Sequence, residues 1–293
     1  MLKNFFKSKL FYHYKHNISA IIGSILVLLA ILIALFGRYI APQNPYDLTQ
    51  LDLMNGYLPP AWLEGGMAEF PLGTDAQGRC VLSAIIYGSA SSLVIGVVGT
   101  LFSCVIGTTL GLIAGYFSGR WDSLIMRIAD VQLSFPSMLL ALAIMAIAGR
   151  GIDKLLIALT LVGWVTYART VRGETLSVKN KDYVQAVRTI GLPKSQILFK
   201  HVLPNVSNSI IVLATMQVGG FILTEATLSF LGAGVPITEP SLGLLVKAGF
   251  DVLFSGLWWV SVFPGLYIML IVFGINLLGD FLRDELNPKL QQQ

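Results

Sequence analysis

The side chains that could do chemistry in this chain are few and lie far apart in the sequence. Glu225 and Asp130 fall inside apolar segments, where an ionisable group is costly and usually faces a bundle interior or a water-filled cavity. Asp75 and Arg79 are four positions apart, which suits a local ion pair or an Asx-type turn. No GxxxxGKS/T, HExxH or GxSxG pattern occurs. The sequence therefore predicts that this chain is not itself an enzyme.

The thiols and imidazoles do not predict a metal site. Cys80 and Cys104 lack a CxxC spacing, so neither a zinc site nor a disulfide framework can be read from them. The pair His13 and His16 stands beside a basic flank and is a weak metal signal. We expect no metal and no cofactor bound by this chain.

The composition indicates a protein that is solvated by lipid. Of the 293 residues, 55% are hydrophobic and only 12% charged, with a mean hydropathy of +0.72. This is more apolar surface than one water-soluble core requires. The net charge of +4 does not predict nucleic-acid binding, because no basic face with interleaved aromatic residues exists. The chain is predicted to be an integral membrane protein.

Six apolar segments are long enough, or nearly so, to be transmembrane helices. The first is uncharged and longer than the h-region of a signal peptide, which predicts an uncleaved anchor. The fourth is short, with uncertain ends. The predicted spans are Ile18–Gly37, Ala90–Phe117, Leu124–Ala148, Leu155–Ala168, Ile210–Leu231 and Leu257–Leu278.

Lysine and arginine are sorted between the two sides of the membrane. With the N-terminus inside, 15 of the 20 Lys and Arg residues fall in inner segments, and only five lie outside. This asymmetry follows the positive-inside rule and predicts that both termini are cytoplasmic. The basic and aromatic stretch at residues 2–16 is either an amphipathic surface helix or a charged anchor flank. The five outer residues are Arg38, Arg79, Arg150, Lys154 and Lys247.

The longest inner loop carries a punctuated segment, "DYVQAVRTIGLPKSQILFKHVLPN", at residues 182–205. Asp182, with Gln185 three residues later, suits a helix N-cap, and Gly191 suits a left-handed C-cap. Pro193 suits the first turn of a second helix. The spacing predicts a helix, a sharp elbow and a second helix. This shape favours a docking knob, and the alternative is an elbow that only packs against the neighbouring helices.

This segment resembles the EAA signature of permease subunits in binding-protein-dependent ABC importers. The order and spacing of its defining residues match here: "QAV", three residues, Gly191, nine residues and "HVLP", with Gln185 in place of Glu. The stretches "PLGTDAQGRCVLSAIIYG", "GLIAGYFSG" and "TEATLSFLGAG" resemble the dipeptide/oligopeptide/nickel class, C-type subunit. "PPAWLEGG" looks especially like dipeptide permease C subunits. The resemblance extends along almost the whole chain.

The resemblance implies an all-α integral membrane fold with six transmembrane helices, the type I ABC importer permease fold with a cytoplasmic coupling helix. It implies an N-terminal flank, first helix and periplasmic loop at 1–88, a five-helix core at 89–282 and a cytoplasmic tail at 283–293. It places ATPase coupling on Gln185, Ala186, Arg188, Gly191 and Pro193. An amide at Gln185 cannot make the charge-assisted pair that a carboxylate offers an ATPase Arg.

Two further groups of residues are predicted to be structural. In the outer loop, glycines around Asp75 permit tight turns, and the five acidic residues of the loop could also receive a partner or a cationic ligand. Folding of the loop is the favoured reading. Glu225 and Asp130 are possible intramembrane polar positions, and Glu225 is expected to hold the bundle together rather than to choose cargo. The loop-structural residues are Gly73, Thr74, Asp75, Gly78, Arg79, Leu203 and Pro204.

By this resemblance the chain is one permease of an ATP-driven importer for di- or oligopeptides in the bacterial inner membrane. Nickel, glutathione or another peptide-like solute are alternative cargoes, and a sensor or channel is a more distant alternative that the EAA-like loop argues against. The implied partners are a paralogous B-type permease, two ATP-binding subunits that use ATP and Mg, an external solute-binding protein, the peptide substrate and membrane lipid, but no nucleic acid.

Overall fold

The computed structural model describes residues 9–286, and within that range the regular structure is helical, with one isolated bridge between Thr74 and Cys80. Lys3, Lys7 and Lys289, which entered the charge count, and the end of the predicted tail lie outside these residues. The helices are α1 (Lys9–His16), α2 (Ile18–Ile40), α3 (Val81–Phe117), α4 (Gly119–Leu133), α5 (Ser137–Ala148), α6 (Ile152–Val178), α7 (Asp182–Thr189), α8 (Lys194–Phe230), α9 (Leu242–Phe250) and α10 (Trp259–Leu286).

Five of these helices, α2, α3, α6, α8 and α10, are long and apolar enough to cross a membrane. The pair α4 and α5 gives a sixth crossing if it is counted as one broken span. The all-α membrane fold predicted from the sequence is therefore confirmed.

The third predicted span, Leu124–Ala148, is not one straight helix. The chain turns by 90° between α4 and α5. Pro136 sits at the turn with extended backbone, φ −55° and ψ 127°. Proline lacks the N–H that a continuous helix needs and disfavours helical backbone at the residue before it, so α4 ends at Leu133 and α5 restarts at Ser137.

The fourth span is longer than the predicted Leu155–Ala168, because α6 continues through charged residues to Val178. Arg169 pairs with Asp130 of α4. Arg172 pairs with Asp122 of α4, with 2.7 Å between Nη2 and Oδ2. Carboxylates on the neighbouring helix therefore partner the two arginines that made the apolar segment look short.

Small residues allow α3 and α6 to approach closely. Gly107, Gly111 and Gly115 repeat every four residues on the α6 side of α3. A Cβ on Gly107 would lie 2.3 Å from the Trp164 carbonyl oxygen, and one on Gly115 would lie 2.6 Å from the Cβ of Thr175. Small residues at this spacing permit the backbone contact on which helix association in lipid depends.

Both ends of the described chain lie at the same end of the bundle. His13 in α1 is 2.9 Å from the carboxylate of Glu285 near the end of α10, and Tyr14 makes an edge contact with Phe281. A cavity lined by both Lys181 and Leu286 places the punctuated segment at this end as well. We call it the elbow end, and the opposite end, which carries residues 41–80, the loop end.

Candidate functional site

The segment after α6 forms the predicted elbow. Helix α7 ends at Thr189, and Gly191 has the left-handed φ of +86°. The Gly191 N–H donates to the Arg188 carbonyl at 3.0 Å, and the Leu192 N–H donates to the Val187 carbonyl at 3.3 Å. These two bonds make a Schellman motif, which satisfies carbonyls at the helix end and reverses the chain.

The start of α7 differs from the predicted capping box. The N-cap is Lys181, which makes no side-chain cap, and Asp182 is the first helical residue, where its charge suits the positive helix end. The Gln185 amide donates instead to the Lys179 carbonyl at 2.9 Å. Gln185 thereby ties α7 to the end of α6.

The inner face of the elbow is part of the bundle core. Val184 of α7 is 2% exposed and Ile197 at the start of α8 is 1% exposed. Both join a cluster with Leu112 of α3 and Val171 of α6. This packing fixes the elbow relative to the long spans.

The outer face of the elbow is free in the single chain. Gln185, Ala186, Arg188, Gly191 and Pro193 are all exposed. The five predicted coupling positions are therefore all accessible in the single chain. Sequence reasoning missed Ile190, which is 77% exposed at the tip beside Gly191. Its signal was an apolar residue immediately before the cap glycine.

Basic side chains surround a cavity of about 280 Å³ between the elbow and the end of α3. The Lys179 ammonium donates to the Gly115 carbonyl at 2.7 Å and to Ser118 Oγ at 2.6 Å, so it caps the end of α3. The Lys194 ammonium lies 5.6 Å from the centre of the Phe117 ring. Arg188 is the third cation of the cavity lining. The cavity presents positive charge beside the exposed tip.

The Leu203–Pro204 pair lies where the second helix of the elbow changes its winding. Residues Leu198–Val202 form a π-helical turn, and regular α-helix resumes at Leu203. Pro204 has no N–H to donate, and its ring would crowd the carbonyl four residues earlier in an α-helix. The wider turn just before Pro204 accommodates it, so α8 runs continuously from the elbow to Phe230.

The outer-loop residues meet at the loop end, far from the elbow. Asp75 is 4% exposed, and its carboxylate accepts bonds from the N–H groups of Gln77 (2.8 Å) and Arg79 (3.1 Å) and from Arg79 Nε (2.6 Å). Both the ion pair and the Asx-type turn are present. Gly73 and Gly78 have φ values of +80° and +73°.

Thr74 fastens this loop to the bundle. Its hydroxyl donates to the Asn55 carbonyl at 2.5 Å and accepts from the Leu58 N–H at 2.7 Å, and its own carbonyl accepts from the Trp259 indole at 3.3 Å. Asp47 and Asp52 accept bonds from the N–H groups two residues later. Three of the five acidic residues of the loop thus stabilise local turns, which supports the structural reading of the loop.

Glu225 lies in a closed hydroxyl cluster. It is fully buried and accepts hydrogen bonds from Ser92 of α3 at 2.8 Å, from Ser229 one turn along α8 at 2.9 Å, and from Ser241 at the start of α9 at 2.8 Å. A buried carboxylate with three donors joins α3, α8 and α9. This geometry fits a bundle-holding role and leaves Glu225 no surface toward a cargo.

Asp130 is placed differently, because it and its partner Arg169 are exposed, at 61% and 47% of their side-chain surfaces. The pair lies on the outer surface of α4 and α6, and not in the interior of the bundle. Among the predicted site residues, the structure therefore brings together the elbow set and, separately, the loop set, while Glu225 and Asp130 stand apart from both.

The long spans, the broken α4–α5 pair and the elbow define a membrane permease. Residues 107–292 match the family model of binding-protein-dependent transport system inner membrane components, and residues 2–60 match the N-terminal transmembrane domain of oligopeptide transport permease C. The chain belongs to the family of binding-protein-dependent transport system inner membrane components.

Several relatives match along nearly the whole chain. The di/tripeptide transport system permease protein DppC of Pseudomonas aeruginosa is 41% identical, covering 99% of this chain and 93% of the relative. The oligopeptide transport system permease protein OppC of Bacillus subtilis is 38% identical (95% and 88%). The glutathione transport system permease protein GsiD of Pectobacterium atrosepticum is 40% identical (93% and 87%).

The fold is also similar to that of a solved transporter chain. A chain from inward-facing MetNI methionine ABC transporter structures aligns with a TM-score of 0.56 and 20% identity, covering 70% of this chain and 96% of that one. At this identity the match supports the fold alone. The family places this chain in the inner membrane as a multi-pass transport subunit.

Proposed function

We propose that this chain is the C-type permease of an ATP-driven importer that moves di- and oligopeptides across the inner membrane. The observation that carries the proposal is the elbow. Its exposed tip contains Gly191 in left-handed backbone. Its second helix is the first part of α8, which runs without a break into a candidate membrane span. A partner that moves the tip therefore moves a transmembrane helix directly. A sensor or channel without an ATPase has no use for this arrangement.

Because this sequence carries no phosphate-binding loop, we propose that ATP and Mg are used by two separate ATP-binding subunits and that this chain binds no cofactor of its own. The exposed elbow, with its basic cavity, is the surface that docks on one of them. The elbow end and both chain termini then face the cytoplasm. The excess of Lys and Arg in the inner segments supports this orientation.

The second permease is a paralogous B-type subunit that completes the pathway. Asp130 and Arg169 are exposed on the outer surface of α4 and α6, and this is the surface that we propose the second subunit covers. An external solute-binding protein delivers cargo to the loop end.

Peptides are the proposed cargo because the relatives that match almost the full chain are named for di/tripeptide and oligopeptide transport. Glutathione is a second candidate, favoured by the 40% identity to a glutathione permease. Nickel stays a third alternative.

The test is uptake by the complex of this chain with its B-type partner, both ATPase subunits and the binding protein, reconstituted in proteoliposomes. We expect ATP-dependent accumulation of a labelled dipeptide, with binding of the same dipeptide to the solute-binding protein. Accumulation of glutathione but of no dipeptide would reassign the cargo. A stoichiometric, active transporter in which this chain is the sole permease would contradict the heterodimer.

A further inference from the structure

A pocket of about 310 Å³ opens at the loop end of the chain, away from the elbow. Three separate outer segments form it: the loop before α3, the turn between α5 and α6, and the stretch from the end of α8 through α9. Because several connections between helices line the pocket, its shape depends on how the spans are arranged.

Two cations converge on one point of this pocket. A Cβ placed on Gly232 would lie 3.3 Å from the Lys247 ammonium and 3.6 Å from Arg150 Nη2. Within residues 9–286, neither cation forms an ion pair with a carboxylate, whereas Arg79 in the same lining is paired with Asp75. Gly232 adds no side chain, so the point between the two cations is open to an anionic group.

The remaining lining has the opposite charge and an apolar wall. Glu239 and Asp251 contribute carboxylates, and neither pairs with a cation among the described residues. Val235 and Leu245, which are 2% and 5% exposed, form part of the apolar wall. Burial raises the pKa of Tyr46, another lining residue, to about 12, so its hydroxyl stays neutral.

We propose that this pocket is an acceptor site for a short zwitterionic peptide, whose terminal carboxylate binds Arg150 and Lys247 above Gly232. The peptide ammonium faces Glu239 and Asp251, and an apolar side chain packs on the wall. The inference rests on the proposed import of peptides, and it adds a binding site in the permease itself.

The features of the pocket favour a small zwitterion over an acidic surface of the binding protein. Its volume lies at the small end of the range for small-molecule sites, roughly 300–1,000 Å³. It also combines unpaired groups of both signs, whereas a site for an acidic protein surface needs cations alone.

The experiment measures binding of alanyl-phenylalanine and of its C-terminal amide to the assembled transporter in nanodiscs, without binding protein, by saturation-transfer NMR. We expect the free dipeptide to bind and the amide to bind at least about tenfold more weakly. The double variant Arg150→Gln/Lys247→Gln should lose this preference. The swap Arg150→Lys/Lys247→Arg should keep it, because both charges remain.

The matched control is Arg38→Gln, which removes a cation from the same end of the bundle but outside the pocket, where Arg38 stacks on Tyr87. Equal binding of dipeptide and amide to the unmodified transporter would overturn the proposal. A double variant that binds the free dipeptide normally but is no longer stimulated by the binding protein would also overturn the proposal, because the two cations would then contact the binding protein and not the peptide.

Uptake of the same dipeptide by the unmodified complex, delivered by the binding protein, separates the two proposals. If uptake occurs but the NMR preference is absent, only the acceptor site is wrong. If no peptide is taken up, the proposed cargo is wrong.

Discussion

Replacing Gly191 with valine tests whether the elbow transmits movement. Gly191 has φ +86°, and an added Cβ would meet no heavy atom within 4 Å, so within this chain the cost is backbone strain alone. That strain is about 1–2 kcal/mol for an L-residue in left-handed backbone. The chain can relieve it by leaving this conformation, which breaks the bonds from Gly191 and Leu192 that close the elbow.

A change of this size shifts the balance between the closed and the opened elbow by a factor of roughly 5–30. We expect Gly191→Val to reach the membrane and to assemble, because the buried residues of the elbow cluster are unchanged and the mutated position is exposed. Peptide uptake and substrate-stimulated ATP hydrolysis in proteoliposomes should both fall at least about fivefold. Gly191→Asn should retain more activity, because asparagine tolerates left-handed backbone.

Gly256→Val is the matched control for this experiment. Gly256 also has positive φ, +87°, and no heavy atom within 4 Å of an added Cβ. It carries similar strain but lies between α9 and α10, outside the elbow and its cavity. Uptake by Gly191→Val at the level of the unmodified protein would refute the coupling argument, as would an equal loss in Gly256→Val.

Three further predictions address other parts of the chain. Gln185→Glu should keep uptake within about threefold of the unmodified protein, since it loses one hydrogen bond to the Lys179 carbonyl, which is exposed and therefore worth only about 0.5 kcal/mol. A larger loss would indicate that the amide itself contacts the ATPase. Glu225→Leu should lower the melting temperature of the purified complex, because three buried serine hydroxyls lose their acceptor, at a cost of about 1–3 kcal/mol for each one left unsatisfied. Glu225→Gln should lower the melting temperature less. A melting temperature of Glu225→Leu equal to that of the unmodified complex would contradict the bundle-holding role. Reporter fusions after Gln293 and within residues 45–65 should report cytoplasm and periplasm respectively, and a periplasmic C-terminus would overturn the orientation.

Local patterns in the sequence were sufficient to predict the elbow. A cap glycine followed closely by proline constrains the backbone whatever surrounds it, and Gly191 has the predicted left-handed conformation. The pattern did not predict the bond from Gln185 to the Lys179 carbonyl, because that bond depends on how α6 ends. It also gave no sign of the π-helical turn before Pro204.

The spans were harder to delimit, because hydropathy averages each residue with its chain neighbours only. Arg169 and Arg172 shortened the predicted fourth span, yet their partners lie on α4, about 40 to 50 positions earlier in the chain. Pro136 by itself indicates only a local perturbation of a helix, whereas the 90° turn depends on how α5 packs on α6. The sequence also does not predict that Arg150 and Lys247 lie close together, because they are almost a hundred residues apart.

One element joins the two ends of the molecule. Helix α8 begins at Lys194 in the elbow, continues to Phe230 and is followed at once by the turn that contains Gly232. Near its far end, Glu225 accepts hydrogen bonds from Ser92 of α3 and from Ser241 at the start of α9, which connects α8 to both neighbours there. The outer pocket is lined by residues of that same turn and of α9. If an ATPase docks on the elbow as proposed, a displacement of the elbow would reach the groups around Gly232 through one continuous helix, and a peptide bound in the outer pocket would by the same connection bias the position of the elbow.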